Sequence, residues 1–476
     1  MGREMDVLDA RFAVNLRNET VSPAFRKALR VWGYLVPPAG LTAGLRRDLQ
    51  RVTTRGTRII VDNGLFDDVT RIAKAHASES KTTAVDLAAA GARLKRDAGW
   101  SDFTAEQRAT INRLADALCV DASAAQGMSV QDQLALSPTD IVGTEDITAA
   151  VWLRAGLNVA LLGPLARQIR RCNANVARRA TRVLAGLPPR LEYLPVASAL
   201  DFDTAFQAGQ VFGASGCPGL AMGFGAFMAD DSLSDTIVIR GRTRRLDRRL
   251  PMRYLRTALV ARGFWDGWRD ATGGAPRHFH FLGLGAPIMM AVVTVAAAGT
   301  PLVTFDATSP IRDAVEGTVY SSLGAYLKIR TRRLAGRLAS GVLKEWSCPC
   351  AFCRSFVGDH PFDYAMGRVW AAQHGSGVTA KARDLQPDGG LFAAYPLLSE
   401  PRGGALRAQV SFARSGHNHW VLDQIVGDLR RHGRTPTSLE KHVRTIVEAY
   451  QTSTNAKYLG AAVSLAFEIA AGRGMP

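Results

Sequence analysis

Short apolar runs that stop at a turn residue recur along this chain with helical stretches between them. That alternation restricts the fold more than any other feature. The run at 31–36 stops at Pro37-Pro38, the run at 57–61 at Asp62-Asn63-Gly64, and the run at 140–142 closes on Glu145-Asp146. Runs at 190–196, 220–223, 278–283 and 301–305 continue the series. Helical spacing fills 69–116 (interrupted near residues 99–102), 148–186, 202–212, 250–268 and 287–298. Strands alternating with helices imply βαβ units and parallel pairing. Six or seven such units before residue 310 favour a closed α/β fold, a (β/α)8 TIM barrel, over an open sheet. The first 30 residues read as an irregular, flexible lead-in.

After about residue 335 the pattern changes to a loop-rich region, followed by helices at 420–429 and 439–471, the latter capped by Thr437 with Glu440. The expected organisation is 1–339 for the main part of the barrel, 340–425 for an inserted zinc-binding subdomain, and 426–476 for helices completing the outer ring. No stretch reaches the ~18 apolar residues needed to span a bilayer. The charged N-terminus lacks a signal peptide's apolar core, so a cytoplasmic protein without a membrane partner is expected.

The chain carries 59 Lys+Arg against 42 Asp+Glu, a net charge of +17, and 50 of the cations are arginines. Arginine's planar fork suits phosphate, and an excess of this size is the footprint of a nucleic-acid binder. The arginines cluster at 240–249, 167–182, 328–333 and 430–434. Contact with nucleic acid is the favoured reading of such runs, with solvated helix faces as the alternative.

Cys348, Cys350 and Cys353 lie within six positions, too close for a disulfide framework, and supply three soft ligands for a tetrahedral ion. A redox dithiol at Cys350-x-x-Cys353 is the alternative, but Pro349 and the third cysteine disfavour it. His360, His374, His417 and His419 are each available as a fourth ligand. Asp62, Asp146 and Asp306 each close an expected strand. In a parallel barrel all strand C-termini share one face, so these carboxylates can converge, one attacking a sugar while another moves a proton. Taken singly, each is more often a turn or cap residue. His278 and His280 alternate on one strand and face the same side; packed histidines are the plainer reading, with entry of one into the site as the alternative.

Taken in order, these residues resemble the tRNA-guanine transglycosylase family. Asp62-Asn63-Gly64-Leu65-Phe66 is similar to its strand-end Asp-Ser-Gly-Gly-aromatic motif, and 140–146 to its Asp-Ile-Val-x-x-x-Asp segment. Gly219-Leu220-Ala221-Met222-Gly223 resembles Gly-Leu-Ala-Val-Gly, and 281–285 resembles Tyr-Leu-Met-Gly-Val-Gly. Phe305-Asp306-Ala307-Thr308-Ser309-Pro310-Ile311-Arg312 resembles Phe-Asp-Cys-Val-Leu-Pro-Thr-Arg. The cysteines match the family's zinc motif and His417-Asn418 its closing His-Asn.

The resemblance implies Asp306 as nucleophile and Asp62 as general acid/base. It implies Asp146, Gly219 and Leu220 against a guanine edge, Phe66 and Leu282 sandwiching the base, and a structural Zn2+ on Cys348, Cys350, Cys353 and His417. The family's Gly-Ile-Val-Gln-Gly strand has no clear counterpart at 191–197, and the Arg-Asn-Gly after the nucleophile is replaced by Arg312-Asp313-Ala314. The spacing from Cys353 to His417 also exceeds the family's. These departures look more like the DNA-modifying branch, which exchanges guanine in DNA for a 7-deazaguanine such as preQ0. Exchange in tRNA is the alternative, and a non-catalytic, zinc-stabilised nucleic-acid-binding subunit is the second. The branch resemblance suggests an ATP-consuming partner protein; a homodimer is a further expectation.

Overall fold

The computed structural model describes residues 8–38, 41–53, 56–95, 98, 100–125, 127–145, 147–155, 157, 162–228, 230–321, 325–330, 348–354, 405–454 and 456–473. Eight parallel strands close a barrel, the architecture expected of a TIM barrel. In chain order they are β1 (Asp9–Asn15), β2 (Gly33–Val36), β3 (Arg58–Val61), β4 (Asp140–Glu145), β5 (Glu192–Ala197), β6 (Gly219–Gly223), β9 (His278–Leu282) and β10 (Leu302–Asp306). Two antiparallel pairs stand outside the barrel: β7 (Leu233–Ile239) with β8 (Arg242–Pro251), and β11 (Thr318–Tyr320) with β12 (Lys328–Arg330).

The strand that closes the barrel is β1, which pairs with β10 in the register Ala13↔Asp306 and with β2 in the register Ala13↔Gly33. It corrects the expectation of an irregular lead-in. Its alternate residues Ala10, Phe12 and Val14 pack outward with the helices, while Ala13 joins the barrel interior. Arg11 and Asn15 share Ala13's face by the period of two, and their polarity hid the strand. The hairpin β7–β8 was also unforeseen, since its exposed arginines mask the apolar alternation. Arg240 and Gly241, both at positive φ (52° and 72°), make its two-residue turn. The following helix is Met252–Thr272, so Leu250 and Pro251 belong to the hairpin rather than to the helix.

The helix Ala405–His432 packs against β1 and runs through the expected boundary at 425, so His417 and the outer ring share one element. The C-terminal helical stretch divides into Pro436–Ser453 and Lys457–Ala470. Thr435, not Thr437, caps the first of these: its hydroxyl accepts from the Ser438 N–H, with Pro436 at the first helical position. Among the described residues no helix is long and apolar enough to cross a membrane.

The interior of the barrel is layered along the period-two alternation of its strands. A small apolar cluster (Ala13, Leu35, Ile60, Val142, Leu194, Val196 and Ala221) fills its middle and is separate from the larger core between sheet and helices. Below it, at the N-terminal ends of the strands, lie Arg58, Asp140, Glu192 and His278. Above it, at the C-terminal ends, Asp62 and Asp306 reach a cavity.

Candidate active site and metal centre

The cavity at the C-terminal mouth measures about 560 Å3 and is lined by both Asp62 and Asp306. A drug-sized or base-sized ligand fits such a volume. A larger depression of about 900 Å3 lies between the tip of the β7–β8 hairpin and two helices, lined by Phe202, Phe206, Arg240 and Asp266. It is open to solvent and receives no end of a barrel strand, so the barrel mouth is the better candidate.

Asp306 is the last residue of β10 and is 4% exposed. Its Oδ1 accepts a hydrogen bond from the Gly283 N–H at 3.0 Å. Gly283 holds φ at 69°, a conformation that favours glycine and turns its N–H toward the carboxylate. The other side of Oδ1 faces His280 Nε2 at 3.5 Å. With Oδ1 held on two sides, Oδ2 is the oxygen left for chemistry.

Asp62 follows β3, and its Oδ1 accepts from the Asn63 N–H at 2.8 Å. Asn63 in turn holds the loop, donating from Nδ2 to the Gly143 carbonyl and accepting the Leu65 N–H at 3.0 Å. Burial, and then the negative charge of Asp306, push the Asp62 carboxyl up to about 6, against the N–H donors and His280 that pull it down. A carboxyl half-ionised near pH 6 can both give and take a proton close to neutrality.

This shift carries a stability consequence. Between its unfolded value near 3.8 and about 6 the folded protein holds the proton more tightly, so stability falls as pH rises through that window. Asp62→Asn should therefore stabilise the fold at pH 7 by about 1–3 kcal/mol, a gain that disappears below about pH 4. Urea melts of both proteins at pH 4 and pH 7 check this; an unchanged or lowered midpoint at pH 7 contradicts it.

Leu282, the last residue of β9, lines the cavity. Gly219 and Leu220 stand at the opposite, N-terminal end of β6 and do not line it; Gly223 and Gly225 do. Phe66 opens the helix Phe66–Ala75, but its side chain, like all of Asp146, lies outside the described residues. Sequence reasoning missed Asn15, Arg17 and Arg253, which line the cavity together with Lys328 of the basic run 328–333. Asn15 is 2% exposed and its Nδ2 has no hydrogen-bond partner among the described residues, leaving a donor for a ligand oxygen or ring nitrogen. Its only sequence signal was its place at the end of an unrecognised strand.

The three thiols converge on His417 as the sequence anticipated. Nδ1 of His417 stands 3.4 Å from Cys348 Sγ, 3.6 Å from Cys350 Sγ and 3.4 Å from Cys353 Sγ. One ring nitrogen cannot hydrogen-bond three sulfurs at once, whereas a tetrahedral ion at ordinary Zn–S and Zn–N bond lengths gives S···N edges of about 3.5 Å. The far nitrogen, Nε2, lies 2.7 Å from the Tyr320 carbonyl, which fixes its proton there and frees Nδ1 for a metal. The donor set therefore fits a metal ion.

His419 is a core residue instead. Its Nδ1 hydrogen-bonds the Ser415 carbonyl at 2.8 Å, it packs edge-on against Phe12 and Phe25, and burial pushes its pKa down to about 4. His360 and His374 lie outside the described residues.

The centre also braces the cavity wall. Asn418 accepts from the Tyr320 N–H at 3.0 Å and donates to the carbonyls of Pro310 and Thr318, both at 3.1 Å. The Tyr320 hydroxyl reaches Asp313 Oδ2 at 2.7 Å, where Lys328 Nζ also binds at 2.6 Å, and Ser309 at 3.3 Å.

Asp140, Glu192 and His278 form a second group whose ligand atoms lie within 4.8 Å of one another. Arg58 already occupies the cation's place beside it, donating to both oxygens of Asp140 and lying 3.3 Å from Glu192 Oε2. A guanidinium in that place leaves no call for a metal cation.

The chain matches no family model, and no curated protein matches it significantly. What the site can do rests on its geometry.

Proposed function

We propose that the protein is a base-exchange glycosyltransferase that replaces guanine in DNA with a 7-deazaguanine of the preQ0 type. The observation that carries this reading is the pair Asp306 and Asp62, delivered by different strands to one cavity, with Asp62 tuned to about 6. In the first half-reaction Asp306 Oδ2 attacks C1′ of the target deoxyguanosine. The C1′–N9 bond breaks, and guanine leaves with a proton supplied by the Asp62 carboxyl. In the second, the Asp62 carboxylate takes the ring proton of the incoming base, whose nitrogen attacks C1′. The C1′–O bond then breaks and Asp306 is restored. Two displacements give retained configuration, with one carboxylate as nucleophile and the other as acid then base. On this reading the ion at Cys348, Cys350, Cys353 and His417 is a structural Zn2+, since all four donors are protein groups and no open position remains.

A target base must leave its stack to reach a cavity this deep, at a cost of a few kcal/mol. Contacts to flanking phosphates offset that cost. Arg17, Arg253, Arg312 and Lys328 stand at the mouth, and the hairpin β7–β8 joins the chain there, between Met228 and Arg253. Its Arg242, Arg245 and Arg248 are exposed. Replacing these three by alanine should weaken DNA binding about tenfold or more and lower the slope of log K against log salt by about 2–3. Fluorescence anisotropy with a short duplex at several salt concentrations measures both. An unchanged slope would place the phosphates elsewhere.

The reading itself is tested by incubating labelled preQ0 with plasmid DNA and with tRNA, side by side. Label entering DNA supports it; label entering only tRNA replaces DNA with the alternative substrate; label entering neither overturns exchange.

A further inference from the structure

Outside the two carboxylates, a set of buried polar groups forms a column through the barrel interior. At the N-terminal end, Glu192 is 36% exposed and its Oε2 lies 2.8 Å from His278 Nδ1. His278 Nε2 lies 2.6 Å from Thr304 Oγ1, and the same oxygen lies 2.7 Å from His280 Nδ1. His280 Nε2 then faces Asp306 Oδ1 at 3.5 Å and has no other partner among the described residues. Both histidines are at most 2% exposed, and Thr304 is fully buried. Four strand positions thus link solvent at one end of the barrel to the candidate nucleophile at the other.

The direction of each hydrogen bond follows from counting protons. The His278 hydrogen bond, first among its causes, holds Glu192 down at about 2, so Glu192 is a carboxylate and His278 Nδ1–H donates to it. Burial lowers the pKa of His278, which favours its neutral form with Nε2 as an acceptor. The Thr304 hydroxyl has one hydrogen, and it donates that to His278 Nε2. The second short contact of Thr304 must then be donated by His280 Nδ1–H. A neutral His280 would turn a bare Nε2 lone pair toward the Asp306 carboxylate, which is repulsive. Nε2 therefore carries a proton as well.

We infer that Thr304 and His280 are positioning residues that hold a doubly protonated imidazole against Asp306 Oδ1, leaving Oδ2 presented to the cavity. The inference rests on the nucleophile reading of Asp306 for its catalytic consequence, but not for the proton arrangement itself. When Asp306 becomes an ester its charge is lost, and the same chain offers its partner's charge a way out. The His280 Nδ1 proton passes to Thr304, and the Thr304 proton passes to His278 Nε2. The positive charge then lies beside Glu192, and His280 Nε2–H still faces Oδ1. No proton enters or leaves, and release of the ester reverses the shift. The charged and titratable groups around His280 are Asp306 on β10, Asp62 after β3, and His278 with Glu192, Asp140 and Arg58 below it.

The test is imidazole 15N NMR of histidine-labelled, full-length protein without ligand at pH 7.5, comparing wild type, Thr304→Val and Thr304→Ser. The inference expects both nitrogens of His280 protonated in wild type and in Thr304→Ser. It expects loss of the Nδ1 proton in Thr304→Val, which has no acceptor for it. His280 nitrogens that read the same in all three proteins, or a singly protonated His280 in wild type, overturn it. The second readout is adduct formation with DNA, expected about tenfold slower in Thr304→Val, restored in Thr304→Ser, with the dissociation constant for DNA unchanged in both. Slowing that serine fails to restore marks a packing defect and contradicts the role. A wild type that forms no adduct removes the nucleophile reading, while the NMR result still decides the column. A melting curve for each variant confirms that the folded protein is what is compared.

Discussion

Asp306→Asn should abolish the covalent adduct and lower base exchange by roughly 10^4-fold or more, with DNA affinity within about twofold of wild type. The substitution keeps the shape of the side chain, and an amide oxygen can still accept the Gly283 N–H that Oδ1 accepts at 3.0 Å. The amide nitrogen then takes the place of Oδ2 and cannot attack C1′. The variant also reports on its partner. The negative charge of Asp306 is the second cause of the raised Asp62 pKa, after burial. Without it the Asp62 midpoint should fall below about 6 yet stay above its ordinary value, because burial remains. Single-turnover assays with labelled DNA give the first result. Titration of Asp62 by carboxyl 13C shifts gives the second, and an unmoved midpoint would mean that the two carboxylates do not sense each other.

Removing the metal is the other change expected to be large. Cys350 and Cys353 are buried, and His417 ties them through the Tyr320 carbonyl and Asn418 to the segment 309–320 behind the cavity. On the proposed reading of this cluster as a structural metal site, folding and ion binding are linked, by several kcal/mol for a site with this donor set. Cys350→Ser, or treatment with a strong chelator, should lower Tm by about 10 °C. It should also lose one equivalent of zinc by elemental analysis and weaken exchange, because the wall formed by Ser309, Arg312 and Lys328 loses its brace. Full Tm and activity after complete removal of the ion would contradict this role.

The parts of this molecule legible in the sequence were those where one residue type announces its environment. A buried apolar strand that stops at a carboxylate stands out, so β3 and β10 and the acids Asp62 and Asp306 could be paired before any coordinates. Three cysteines within six positions announce soft ligands in the same way. The strand β1 was not legible because a residue facing the barrel axis need not be apolar: Arg11 and Asn15 sit where a pattern search expects Val or Ile. His278 and His280 could be placed on one face, but the hydroxyl that joins them belongs to Thr304 on the neighbouring strand, and pairing across strands leaves no local trace. The choice of His417 over His419 turned on which ring nitrogen faces the sulfurs, a matter of helix rotation. Gly219 and Leu220 show the converse limit, since their strand was recognised but its cavity-facing end is Gly223.

The central claim is that Asp306 becomes bonded to a sugar carbon, and the most direct measurement is the mass of the protein itself. A reaction with a short DNA duplex, quenched in acid within the first turnover and analysed intact and after digestion, should show a species heavier by the abasic strand. The added mass should map to the peptide containing Thr304-Phe305-Asp306 and should disappear when preQ0 is supplied before the quench. Exchange that proceeds with no such adduct, or an adduct on another residue, would contradict the account.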